Sequence, residues 1–169
     1  MTFDPGLLDD LEAAVTEKWI GIAWRVVIGK TSPLRSNQRG AHWNLAGREA
    51  LYCSLDETTA IKELEYLLAR ESVSISRKRM VHRLSISLSR VAILETGNEL
   101  TDRGLSKANL LSSEFDASQL VGGAIHWLGI PALVIPSARS DSSNLIIFPE
   151  NLGPEDSIEI VSTYDYQDQ

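Results

Sequence analysis

R-G-A-H-W-N-L-A-G-R-E-A-L-Y-C-S-L-D-E-T-T-A-I-K-E-L-E, from Arg39 to Glu65, is the stretch on which the fold turns. Its first nine residues, Arg39 to Gly47, read as a binding loop, because exposed connectors seldom spend an imidazole and an indole (His42, Trp43) without a contact for them. Ala50 to Cys53 then reads as a short strand. Ser54 with Glu57 three residues later predicts a capping box, and Ala60, Ile61, Leu64, Leu67 and Leu68 follow at helical spacing to about Arg70. Loop, strand and helix start converge, so free N–H groups at a helix N-terminus would lie beside Arg39 and Tyr52, a suitable place for an anion.

Outward from this junction the chain alternates between the two periodicities. Asp4-Pro5 supplies an N-cap and a first-turn proline for a helix carrying Leu7, Leu8, Leu11 and Val15 and ending near Glu17. Trp19 to Ile28 is aromatic and β-branched and predicts a buried strand, in which Arg25 must find a carboxylate, backbone carbonyls, an anionic ligand or a route to solvent. Beyond the central helix, Ser72 to Arg79 reads as a surface connection and Met80 to Leu88 as a half-buried strand, with Val91 to Thr101 weakly patterned and Asn109 to Glu114 turn-like. Asp116 with Gln119 opens a helix through Val121, Ile125 and Leu128, weakened by Gly122-Gly123 and stopped at Gly129-Ile130-Pro131. Ala132 to Ile135 and Asn144 to Phe148 are short apolar strands, and Ile158 to Tyr164 reads as an edge strand. The expected fold class is α+β: a single domain over residues 1–169 with a mixed, mostly antiparallel sheet flanked by helices.

Composition narrows the functions. With 43% apolar and 23% charged residues, 169 residues suffice for one full core. The net charge of −7 argues against nonspecific nucleic-acid binding, which needs a basic surface. Residues 25–48 nevertheless carry Arg25, Lys30, Arg35, Arg39 and Arg48 with no acid among them, an island able to attract an anionic small molecule. One cysteine, Cys53, permits no internal disulfide and, with three scattered histidines, offers no metal-ligand spacing; a reducing cytoplasm is the expected setting. The start lacks a basic segment followed by an apolar run, and no eighteen apolar residues stand together, so neither a signal peptide nor a membrane span is expected.

The sequence contains no G-x-G-x-x-G, Walker loop, H-E-x-x-H or G-x-S-x-G, which removes support for the common nucleotide folds, zincins and α/β-hydrolases. What remains is a set of polar residues in unusual places: Arg25 and Tyr52 on strands, Arg39 and His42-Trp43-Asn44 in the loop, Glu63 on a helix, Ser137 at a strand end. Their order, W-R, then R-G-x-x-W-N-x-x-G-x-x-A-L-Y, then A-x-x-E, then I-P-S-A-R and N-L-I-I-F-P, resembles the RES domain family, bacterial toxins named for an Arg, a Glu and a Ser. Matched by position, those residues are Arg25, Glu63 and Ser137, and Trp43-Asn44, Gly47, Tyr52 and Asn144 also fall on the pattern. The loop departs from it, with Ala41 and His42 in place of the family's second Gly and Arg.

The resemblance implies a fold similar to ADP-ribosyltransferases. It implies a toxin that arrests growth by consuming NAD+ as its substrate, without a prosthetic group, by hydrolysis or phosphorolysis at the nicotinamide–ribose bond or by transfer of ADP-ribose to a protein. It also implies a partner, an antitoxin with an Xre-like helix-turn-helix part that covers the active site and provides the only link to DNA. On this reading Arg25, Glu63 and Tyr52 are catalytic, and Arg39, His42, Trp43, Asn44, Ser137 and Asn144 bind substrate. A non-catalytic module holding a nucleotide or an acidic peptide stays open beside it. Taken singly, each residue also has a plainer reading: Trp43 and Tyr52 as packing anchors, Glu63 as a solvated helix carboxylate, Ser137 as a turn residue. Glu65, two positions on, is the rival carboxylate on another helix face.

Overall fold

Strand pairing in this protein returns on itself. The computed structural model describes residues 2–72 and 78–166, so residues 73–77 of the expected surface connection lie outside the described residues. Two long strands, β1 (Val15–Ile28) and β3 (Arg79–Ile93), run antiparallel from Val15↔Ala92 to Ile28↔Arg79. At Trp24↔Ser54, β1 also meets β2 (Leu51–Ser54), which pairs with β5 (Ser143–Ile147); β5 pairs with β4 (Ala132–Pro136). Val91 to Ile93 then lie parallel to Ala132 to Val134, which brings the circuit back to β3. One parallel contact among antiparallel ones makes the sheet mixed, and with its helices the chain has the expected α+β class. The last strand, β6 (Ser157–Tyr166), pairs among the described residues only with β3 and forms the expected edge.

Side-chain alternation along these strands divides the core. Ala23, Leu51, Cys53, Leu84, Ile86, Val134, Leu145 and Ile147 face one another within the circuit. On the other face of β4 and β5, Leu133, Ile135 and Ile146 pack against α1 (Pro5–Ala13), α3 (Lys107–Leu110) and α4 (Asp116–Trp127) through Leu7, Leu11, Leu110, Val121 and Ile125. The central helix α2 (Glu57–Arg70) lies over Val26 and Val81 through Ala60, with Ile61 and Leu64 beside it. Each buried Leu or Ile in these clusters contributes about 1.5–3 kcal/mol of transfer free energy.

Several boundaries move relative to the sequence expectation. The first helix stops at Ala13, because Val15 onward is drawn into pairing with β3. Ser54 does not cap α2. The chain stays extended through Ser54, paired with Asn144, and the cap is Asp56, whose Oδ1 accepts the Thr59 N–H at 2.8 Å. Val91 to Ile93 continue β3, where strand neighbours on both edges override a weak local pattern. Lys107–Leu110, overlapping the start of the turn expected over Asn109 to Glu114, form a helical turn under a Ser106–Asn109 capping box.

Candidate active site

The site is built where α2 crosses the ends of β4 and β5. Glu63 stands on the side of α2 that faces these ends, and its Oε1 accepts from Ser137 Oγ at 2.7 Å and from Asn144 Nδ2 at 2.8 Å. Asn144 is itself fixed, since its Oδ1 accepts from Ser54 Oγ at 2.8 Å. Ser137 is buried just past β4, where its backbone N–H donates to Ser142 O and its Oγ also accepts the Arg139 N–H at 3.0 Å. Two residues remote from Glu63 in sequence thus hold one carboxylate oxygen in a set direction, the pre-organisation that a charge-stabilising group needs.

The loop of residues 39–47 forms a second polar group, and its bonds explain its composition. Tyr52 Oη donates to Asn44 Oδ1 at 2.6 Å and accepts the Trp43 N–H at 3.0 Å. Asn44, 2% exposed, spends its Nδ2 on the carbonyls of Asn37 and Arg48. Burial pushes the Tyr52 phenol well above its usual range, so it stays a neutral donor. The Trp43 indole is buried in the helix-side core, and its carbonyl presses on α4: a Cβ at Gly122 would lie 1.9 Å from Trp43 O. That contact is why a glycine stands in a helix interior despite its cost there. Trp43, Asn44 and Tyr52 therefore act as the scaffold of the loop.

His42 projects from this scaffold. Its ring stacks on Trp43 and on Phe115, with centroids 5.2 and 4.9 Å away, and Nε2 lies 2.6 Å from Leu110 O, a geometry that places the proton on Nε2. Burial lowers its pKa; the Leu110 carbonyl and Glu63 oppose the shift while Arg139 and Arg70 add to it. His42 thus lies within electrostatic reach of the carboxylate and of two guanidiniums. Arg139 lies over the Tyr66 ring at 3.4 Å and Arg70 over Phe115 at 5.3 Å.

Arg25 occupies a different place. It shares the inward face of β1 and β3 with its partner His82, and its Nη1 and Nη2 donate to the carbonyls of Tyr52 and Arg35, each at 2.9 Å. Its Nε is buried without a partner. Backbone carbonyls are thus the partners that a strand-borne Arg required, and the hydrogen bonds that orient Glu63 come from Ser137 and Asn144. Desolvation lowers the Arg25 pKa, as it does that of His82. Arg39 is exposed on the loop, where its own N–H donates to Asn37 Oδ1.

The structure accordingly joins Glu63 with Ser137 and Asn144, joins Trp43 and Asn44 with Tyr52, and ties Arg25 to the second group through the Tyr52 carbonyl while Glu63 takes its hydrogen bonds from Ser137 and Asn144. Sequence reasoning missed Ser54, Tyr66, Arg70, Phe115 and Arg139. Helical spacing from Glu63 points to Tyr66 and Arg70, and Arg139 lies in the I-P-S-A-R motif, whereas nothing local marks Phe115.

The RES domain family model matches residues 22–168 of the chain. No curated protein sequence matches it. Among solved structures the chain is similar to one in the crystal structure of the M. tuberculosis MbcT–MbcA toxin–antitoxin complex, with a TM-score of 0.81 at 20% sequence identity, over 98% of this chain and 94% of that one. At that identity the likeness speaks for the fold.

Proposed function

This chain belongs to the RES domain family, and from that premise we propose that it is the toxin of a toxin–antitoxin pair and consumes NAD+ by breaking the nicotinamide–ribose bond. The observation that carries the reading is the Glu63 carboxylate, fixed by Ser137 and Asn144 on a helix whose next turns carry Tyr66 under the Arg139 guanidinium and Arg70 over Phe115. When the C1′–N bond breaks, nicotinamide leaves as a neutral base with the bonding pair, and positive charge spreads over the ribose ring. A carboxylate held beside the sugar stabilises that charge more than it stabilises the ground state. An acceptor oxygen, from water or phosphate, then bonds to C1′ and gives up its proton to solvent. His42, whose pKa burial lowers, stacks its ring on Phe115, over which Arg70 lies.

The test is incubation of the purified chain with NAD+, following nicotinamide release with and without phosphate and identifying the ribosyl product by mass spectrometry. Release is expected, together with growth arrest on expression. No release from antitoxin-free protein overturns the reading, and ADP-ribose found on a protein instead of on water or phosphate redirects it to transferase chemistry.

The antitoxin reading rests on the complex to which the fold is similar. An antitoxin segment covering this site would present a carboxylate to the exposed arginines of the loop and the site rim. Arg39→Glu is then expected to weaken the complex, and unchanged affinity removes the loop from the interface.

A further inference from the structure

Glu63, Tyr66 and Arg70 stand at i, i+3 and i+7 on α2 and share one face. Each is met by another element. Ser137 and Asn144 bond to Glu63, the Arg139 guanidinium lies on Tyr66, and Arg70 lies on Phe115, itself stacked against His42. Charge along this face is therefore ordered: a carboxylate first, then two guanidiniums within the next two turns, about 10 Å along the helix axis. Among the described residues neither Arg139 nor Arg70 pairs with a carboxylate, whereas Arg79 and Arg103 both do. The Arg139 Nε–H is buried and has no acceptor. An aromatic face holds a guanidinium in place without using its N–H donors, which leaves the planar fork available for an anion's oxygens.

We propose that Arg139 and Arg70 hold the pyrophosphate of the dinucleotide whose ribose faces Glu63. The proposal rests on the preceding reading that this site takes a dinucleotide, and it names which cations read the ligand's charge. Arg25 has both Nη groups committed to backbone carbonyls on the inward strand face, and Arg39 stands exposed on the loop. The ligand class is a ribosyl pyrophosphate; a nucleoside without phosphates lacks the group that the pair recognises.

The experiment is calorimetric titration of ADP-ribose into the purified chain and its Arg139→Leu, Arg70→Leu, Arg139→Lys, Arg70→Lys and Lys62→Ala variants, with inorganic pyrophosphate as competitor and circular dichroism to monitor folding. Each Leu variant is expected to bind at least about tenfold more weakly, the two Lys variants to recover part of the loss because they keep the charge, and Lys62→Ala, which removes an exposed cation of the same helix, to bind as the parent does. Pyrophosphate should displace ADP-ribose from the parent chain. Leu variants that bind within twofold of the parent, Lys variants as weak as Leu, or a parent chain that binds no ADP-ribose each overturn the proposal. If Arg139→Leu fails to fold, the Lys variants and pyrophosphate competition still decide it. ADP-ribose binding through Arg139 and Arg70 with no nicotinamide release from NAD+ would leave this inference standing and sink the catalytic reading alone.

Discussion

Ser137 Oγ donates to Glu63 Oε1 at 2.7 Å across 74 positions of chain, joining the end of β4 to the middle of α2. The bond makes the direction of the carboxylate a property of the fold, independent of solvent.

The charge on Glu63 is the first quantity to test. Glu63→Gln keeps the shape and removes the charge, and loss of one preorganised electrostatic contact costs about 10² to 10³ in rate. NAD+ turnover should fall by that factor while ADP-ribose affinity changes only a few-fold. Glu65→Gln is the control: Glu65 is exposed, and its contact is to the buried Arg79 at 3.6 Å, away from Ser137 and Asn144, so turnover should stay unchanged. An active Glu63→Gln beside a dead Glu65→Gln would move the site by two residues, and two active variants would end the mechanism.

Ser137→Ala should act on kcat rather than KM. It removes one of two donors to Glu63 Oε1 and the acceptor of the Arg139 N–H, so a fall of about tenfold in kcat is expected. Ser137→Thr retains the hydroxyl and should restore most of it. Equal losses in Ala and Thr variants would mean that packing, not the hydrogen bond, matters here.

Adjacent glycines on α4 should respond oppositely to the same change. In Gly122→Ala the new methyl meets Trp43 O at 1.9 Å, so helix and loop must separate, at about 1–3 kcal/mol of stability in urea titration. Gly123→Ala makes ordinary contacts, with the Phe3 ring at 3.4 Å and Leu45 Cδ1 at 3.8 Å, and gains helix propensity, so it should be neutral or stabilising by up to about 1 kcal/mol. A tolerated Gly122→Ala would contradict the close approach of the loop.

Acid should weaken this fold through its histidines. Burial depresses the pKa of both His42 and His82, with Arg25 adding to the effect at His82. A depressed folded pKa means that the unfolded chain binds the proton more readily. The associated stability is therefore present above the unfolded value near 6.5 and is lost as pH falls below it, with a slope of at most about 1.4 kcal/mol per pH unit for each group. Denaturant titrations from pH 7 to pH 5 should show this loss, and His42→Gln should flatten it. An unchanged slope in that variant would exclude His42 as a source.

The sequence by itself determined the local segments and their order. Asp4-Pro5 set the first helix start, the apolar spacing of Ala60, Ile61, Leu64 and Leu68 set α2, and Gly129, at φ 70°, ended α4. The ordered polar motifs brought the RES family into view, because they are short strings readable without a fold. Tertiary structure decided which of those residues meet. Whether Arg25 faces Glu63 or the interior depends on the register of β1 against β3 and β2, and a one-residue slip would reverse it. The spacing of Ser54 to Glu57 fits a cap, yet pairing with Asn144 outweighs a single cap hydrogen bond. Phe115 carried no signal, since its partners His42 and Arg70 come from a loop and a helix 73 and 45 positions away. Contacts of that separation arise only when strand pairing and helix packing close the chain, so local pattern could name the site's residues but not its geometry.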